Sequence, residues 1–142
     1  MEEAMADRVV LTPIGVIQSP FRNGEEAPKQ GFELSAEGWL IVDERYRDAF
    51  VGLEAGQRIV ILYWLDRADR ELLQVHPRGD PSRPLKGVFA TRSPHRPNPI
   101  GIEVVEVLEL KGTNIRVRCL DALDGTPLLD IKCTVTGGEH PA

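Results

Sequence analysis

The sequence predicts a mainly β fold, an antiparallel barrel or sandwich of about seven strands with one short helix. Seven short runs rich in Val, Ile and Leu carry this prediction, at residues 9–19, 32–42, 58–65, 87–91, 101–110, 114–121 and 127–135. Gly, Pro, Asn and Asp punctuate the intervals between them, as strand boundaries require. The one departure from strand character is residues 43–53, where Tyr46, Phe50 and Leu53 recur at helical spacing behind Asp43, a suitable N-cap, and Gly52 and Gly56 end the segment.

Each run has its own reading. In the last part of 114–121 the odd positions Ile115, Val117 and Cys119 form an apolar face that Asp121 continues. A carboxylate on the core side needs a partner. Asp121 either caps the turn that follows it or faces a pocket at the rim, and both readings stand at this point. The wholly apolar run 59–65 stops at Asp66 and Arg67, placing two charges at the end of a central strand, where sites tend to collect. Cys119 and Cys133 are expected in adjacent strands around a turn near Asp124 and Gly125, out of register for a disulfide, and both are read as buried thiols.

With 142 residues, 42% of them hydrophobic, the chain is long enough for one domain with a real core, ordered over about residues 9–135 with frayed ends. No apolar run approaches the roughly 18 residues of a membrane span, so no membrane partner is expected. The acidic start MEEAMADR lacks the pattern of a secretory signal, which predicts a cytoplasmic protein. The net charge of −5 argues against general coating of nucleic acid. Yet the segment from Arg67 to Arg96 holds seven basic residues against three acids. That asymmetry suits a face meeting a polyanion.

Within that segment the loop TRSPHRPNPIG, from Thr91 to Gly101, is the most informative stretch. Pro94, Pro97 and Pro99 fix their own φ angles and bias Ser93, Arg96 and Asn98 toward extended backbone, so little further entropy is lost when a ligand docks. The loop also carries Arg92, Arg96, His95 and Asn98. Signatures of other chemistries are missing: no GxGxxG, phosphate-loop, HExxH, CxxC or GxSxG pattern occurs, and the three histidines are too scattered to suggest a metal site. The acid–base groups near the loop are His95, Asp66 and Asp121. What these residues favour is chemistry by positioning.

The segment GVFATRSPHRPNPIG from Gly87 to Gly101, with LDGTPLLDIK from Leu123 to Lys132 and IGVIQSPF from Ile14 to Phe21, resembles the TsaA-like proteins, also called the TrmO family. The resemblance spans about residues 9–133. It implies a compact β-barrel without a Rossmann core, assembled as a homodimer that contributes to the site. The activity implied is S-adenosylmethionine-dependent methylation of N6 of threonylcarbamoyladenosine at position 37 of transfer RNA, with the anticodon loop as partner. The resemblance further implies cofactor contacts at Gln30, Gly31 and Phe32, at Asp66 and Arg67, at Arg92, at Ile102, and along Arg118, Cys119, Leu120 and Asp121. Arg92 is suited to grip a carboxylate, Asp121 to accept ribose hydroxyls and Phe32 to cover adenine. Asp66 or His95 is expected to take the proton of the methylated nitrogen. Arg83, Lys86 and Arg96 are expected to meet RNA. The sequence departs from the family pattern in carrying Asp66 where many relatives have histidine, in LDIKC in place of LDIKPY, and in lacking the C-terminal extension of longer members. Those departures leave two alternatives: a methyltransferase for another substrate, or a module that binds S-adenosylmethionine or RNA without turnover.

Overall fold

The computed structural model describes residues 8–22 and 36–135. Six strands close an antiparallel barrel: β1 (Gly15–Gln18), β2 (Glu37–Val42), β3 (Arg58–Trp64), β6 (Ile100–Lys111), β7 (Asn114–Arg118) and β8 (Pro127–Cys133), in the order β1-β2-β7-β6-β3-β8. Two further strands, β4 (Gln74–Val75) and β5 (Lys86–Gly87), pair as a small separate sheet. The expected barrel is present.

Alternation places the core. Ile59, Ile61 and Tyr63 of β3 face inward, as do Val105 and Val107 of β6, Ile115 and Val117 of β7, and Ile17, Leu40 and Leu128 of β1, β2 and β8. Two irregularities bend the wall. In β6 the pairing with β7 skips a residue between Val107 and Glu109, and between Leu62 and Tyr63 the pairing of β3 with β8 shifts register. Bulges of this kind sharpen local twist, which a small closed barrel needs. One end of the barrel is covered by 3-10 turns over Glu44–Phe50, where the Asp43 carboxylate accepts the Arg45 N–H at 3.0 Å as the predicted cap. Tyr46, Phe50 and Leu53 pack against the core from there.

Four expectations need correction. Residues 87–91 do not form a barrel strand: only Lys86–Gly87 is extended, and Val88–Ala90 closes into a 3-10 turn because the Thr91 N–H bonds back to the Val88 carbonyl. The first strand begins at Gly15 rather than Val9, and Val9 and Val10 lie exposed. The run 114–121 ends at Arg118, because Cys119 takes a left-handed φ of 73° that reverses the alternation. Leu120 is then the fully buried residue and Cys119 is only half-buried. Finally, β7 and β8 are not neighbours, so the cysteines do not sit on adjacent strands, and Cys133 is exposed rather than buried.

Candidate functional site

The end of the barrel opposite Glu44–Phe50 carries a cavity of about 820 Å³. Its origin lies in strand pairing. β6 pairs with β3 along Ile100 to Glu106, but with β7 only from Glu106 onward, opposite Arg118. Among the described residues, β6 therefore has no strand on its second side from Ile100 to Val105, and the Cys119 turn carries the chain away from it. Leu120 re-enters the core and donates its N–H to the Ala36 carbonyl. The barrel seam thus opens into a slot bordered by the edge of β6.

Polar groups converge on this slot. The Tyr63 hydroxyl donates to Asp121 Oδ1 at 3.3 Å, and the Asp121 N–H donates to Glu103 Oε1 at 3.3 Å. Burial, then the Glu103 and Asp121 carboxylates, push the Tyr63 phenol far above its usual range, against a smaller opposite pull from Arg92. Tyr63 is a neutral donor throughout the physiological range as a result. Arg92, Ser93, Pro94 and Arg96 of the proline loop form the facing wall, and Ile100, Ile102 and Val104 supply apolar surface.

The proline loop is held by its own polar side chains. Thr91 Oγ1 accepts the Ser93 N–H at 3.1 Å, Ser93 Oγ accepts the His95 N–H at 3.1 Å, and Arg96 Nη1 donates to the Thr91 and Ser93 carbonyls. Arg70 ties the far side, donating to the Pro97 carbonyl at 2.7 Å and stacking over Trp64. Pro99 is fully buried. The loop is preorganised at the slot's edge.

Of the residues singled out from sequence, Arg92, Ile102, Cys119, Asp121 and Arg96 line the cavity together. Asp121 faces the slot, and the following turn is instead fastened by Asp124, whose Oδ1 accepts the Ser19 N–H at 3.0 Å. Asp66, Arg67 and His95 are outside the lining. Arg67 reaches the Arg22 carbonyl at 2.9 Å, and His95 Nδ1 accepts the Asp69 N–H at 2.9 Å. Arg118 pairs with Glu106 at 2.8 Å, and Leu120 belongs to the core. Arg83, paired with Asp80 at 3.8 Å, and Lys86 lie exposed on the β4–β5 arm. Gln30, Gly31 and Phe32 lie outside the described residues. Tyr63 and Glu103 were missed by sequence reasoning. The available signal was parity: both sit at inward positions of apolar strands while carrying polar groups.

A profile of the tRNA-methyltransferase O N-terminal domain matches residues 16–137. The chain belongs to that family. Two relatives span nearly the whole chain. An S-adenosyl-L-methionine-binding protein of Archaeoglobus fulgidus is 46% identical over 87% of this chain and 88% of its own length. A probable S-adenosyl-L-methionine-binding protein of Methanothermobacter thermautotrophicus is 49% identical over 86% and 87%. Among solved structures, the crystal structure of TrmO from Pseudomonas aeruginosa superposes with a TM-score of 0.74 at 31% identity, covering 96% of this chain. This chain spans only 60% of that TrmO chain. The barrel is thus the fold of the TrmO N-terminal domain, and among the described residues no helix is long and apolar enough to cross a membrane.

Proposed function

We propose that this protein is an S-adenosylmethionine-dependent methyltransferase that binds its cofactor in the slot at the open barrel seam and methylates N6 of threonylcarbamoyladenosine in the anticodon loop of transfer RNA. The observation that carries the reading is the convergence of Arg92, Asp121 and Glu103 in one cavity of a TrmO-family barrel, at the seam where β7 leaves β6. The residues suit the group. S-Adenosylmethionine presents a carboxylate, an ammonium, a ribose diol and a flat purine. Arg92 can pair with the carboxylate and Asp121 with hydroxyls, while the edge of β6 beside Ile102, which β7 leaves, offers backbone groups to the purine. The chain on both sides of Gln30, Gly31 and Phe32 is fastened at this same end, through the Arg22 and Ala36 carbonyls. Those three residues and the Asp66–Arg67 strand end complete the proposed cofactor contacts, with Cys119 in the wall and Arg118 and Leu120 on either side of it in the chain.

When bound, the cofactor supplies an electrophilic methyl group. The protein's part is to hold the acceptor nitrogen in line with it, a contribution of up to roughly 7–11 kcal/mol for well-oriented reactants. The neutral Tyr63 phenol keeps Asp121 in place. The proton of the methylated nitrogen passes to Asp66 or His95 on the adjoining loops, or to Glu103 inside the slot. Ile100, Ile102 and Val104 are 40–48% exposed on the outer face of β6, which supports a homodimer whose second copy covers this stripe and closes the slot. Arg83, Lys86 and Arg96 supply the RNA-facing charge.

Calorimetric titration with S-adenosylmethionine and a methyl-transfer assay on transfer RNA from cells lacking the modification test this reading. The expected result is saturable cofactor binding and a methylated threonylcarbamoyladenosine detected by mass spectrometry. Absence of cofactor binding removes the site. Binding without a methylated nucleoside removes the substrate.

A further inference from the structure

Phe89 stands apart from every other described aromatic side chain. It is 82% exposed, whereas the remaining Phe, Tyr and Trp residues among the described ones are buried or half-buried. The exposure is built in. Val88, its neighbour, is 2% exposed and anchors the turn, and its N–H donates to the Leu73 carbonyl at 2.9 Å. The Val88 carbonyl then accepts both the N–H and the hydroxyl of Thr91, at 3.1 and 3.0 Å. With backbone pinned on both sides, Val88 is held in and the phenyl ring out.

Its surroundings suggest what the ring meets. Leu73 and Leu85 on the β4–β5 arm are 66% and 54% exposed, and Lys86 and Arg83 on the same arm are exposed cations. Arg92, three residues along, lines the slot, so Phe89 lies within roughly 10 Å of chain from it. A protein interface is expected to have a core depleted of charge. Here a single flat ring lies in a segment with a local excess of four positive charges. That combination fits an unpaired nucleobase, which stacks on the ring while its flanking phosphates meet the cations.

We propose that Phe89 is a stacking platform for an unpaired base next to the adenosine that enters the slot. The inference rests on the RNA-substrate reading above and assigns a residue to it. The test measures binding of a hairpin RNA with an unpaired adenosine-containing loop, across a series of salt concentrations, to the wild type, F89A, F89W and K86A. Loss of base stacking should weaken F89A by about 5- to 150-fold. The slope of affinity against salt should stay unchanged in F89A, become shallower in K86A, and F89W should restore affinity. Cofactor affinity and sedimentation mass of F89A should match the wild type. Wild-type affinity in F89A, or a change in its mass with RNA binding intact, overturns the proposal and points to a protein contact. Failure of the wild type itself to bind the hairpin overturns the RNA-substrate reading along with it.

Discussion

Gly101→Ala is the substitution whose cost can be worked most directly from the barrel. Gly101 of β6 pairs with Tyr63 of β3, and a Cβ built at residue 101 collides with Tyr63 Cε2, lies 2.8 Å from Cζ and 2.9 Å from Cδ2. The ring cannot swing aside easily. Tyr63 is 6% exposed, and its hydroxyl is tied to Asp121. Overpacking against a fixed ring costs about 1–3 kcal/mol. At about 3 °C per kcal/mol for a chain of this size, the Tm should fall by about 3–9 °C. Thermal and urea unfolding of the wild type, G101A, Tyr63→Leu and the double variant measure the coupling. If the ring is the obstacle, G101A should cost about 1 kcal/mol less in the Tyr63→Leu background. An equal loss in both backgrounds would refute the argument that Gly101 exists to admit Tyr63.

Three other perturbations have definite outcomes. Arg92→Ala should weaken S-adenosylmethionine binding by the roughly 1.5–3 kcal/mol of a hydrogen bond to a charged group, read by calorimetry, with far-UV circular dichroism unchanged. Because the Tyr63 phenol is raised in the folded chain, the unfolded state releases that proton first, near pH 10. Its stabilising contribution is therefore full below about pH 10 and is lost as pH rises further, by up to about 1.4 kcal/mol per pH unit; urea unfolding at alkaline pH should show a gentler decline for Tyr63→Phe than for the wild type. Thr113→Val should lower unfolding free energy by about 1–3 kcal/mol, since the buried Thr113 hydroxyl donates to the Val42 carbonyl at 2.8 Å where β2 meets the β6–β7 turn.

Most of the barrel was legible because its strands are short Val-, Ile- and Leu-rich runs set apart by Gly, Pro, Asn and Asp. The apolar run from Ile59 to Leu65 announces a strand, and Asp43 with Tyr46 and Phe50 marks the 3-10 segment Glu44–Phe50. What failed were the places where one backbone torsion outweighs the pattern. Cys119 continues an apolar face on paper, but its left-handed φ moves the next buried position to Leu120, and no residue type at 119 signals that turn. The segment Gly87–Thr91 reads as a strand by composition, yet its hydrogen bonds close locally on Val88. Closure order was equally invisible. Sequence proximity favoured pairing 114–121 with 127–135, whereas β8 completes the barrel between β1 and β3. The slot's position was inferable from the proline loop and Asp121, but Glu103 and Tyr63 were concealed inside runs read for their hydrophobicity.

The same torsion that misled the alternation is what creates the site. Had β7 continued past Arg118 in register, residues 119–124 would have paired with Ile100–Val105 and sealed the seam. Instead the chain turns at Cys119, Leu120 fills the core, and Asp121 swings its carboxylate to the Tyr63 hydroxyl and its N–H to Glu103. Two carboxylates, Glu103 and Asp121, thereby line the slot together with Arg92 of the proline loop. A pocket lined by charges of both signs favours a ligand that itself carries both, such as a carboxylate beside an ammonium. A simple anion would meet Glu103 and Asp121 as well as Arg92, and that mixture of signs follows from where the seam opens rather than from net charge.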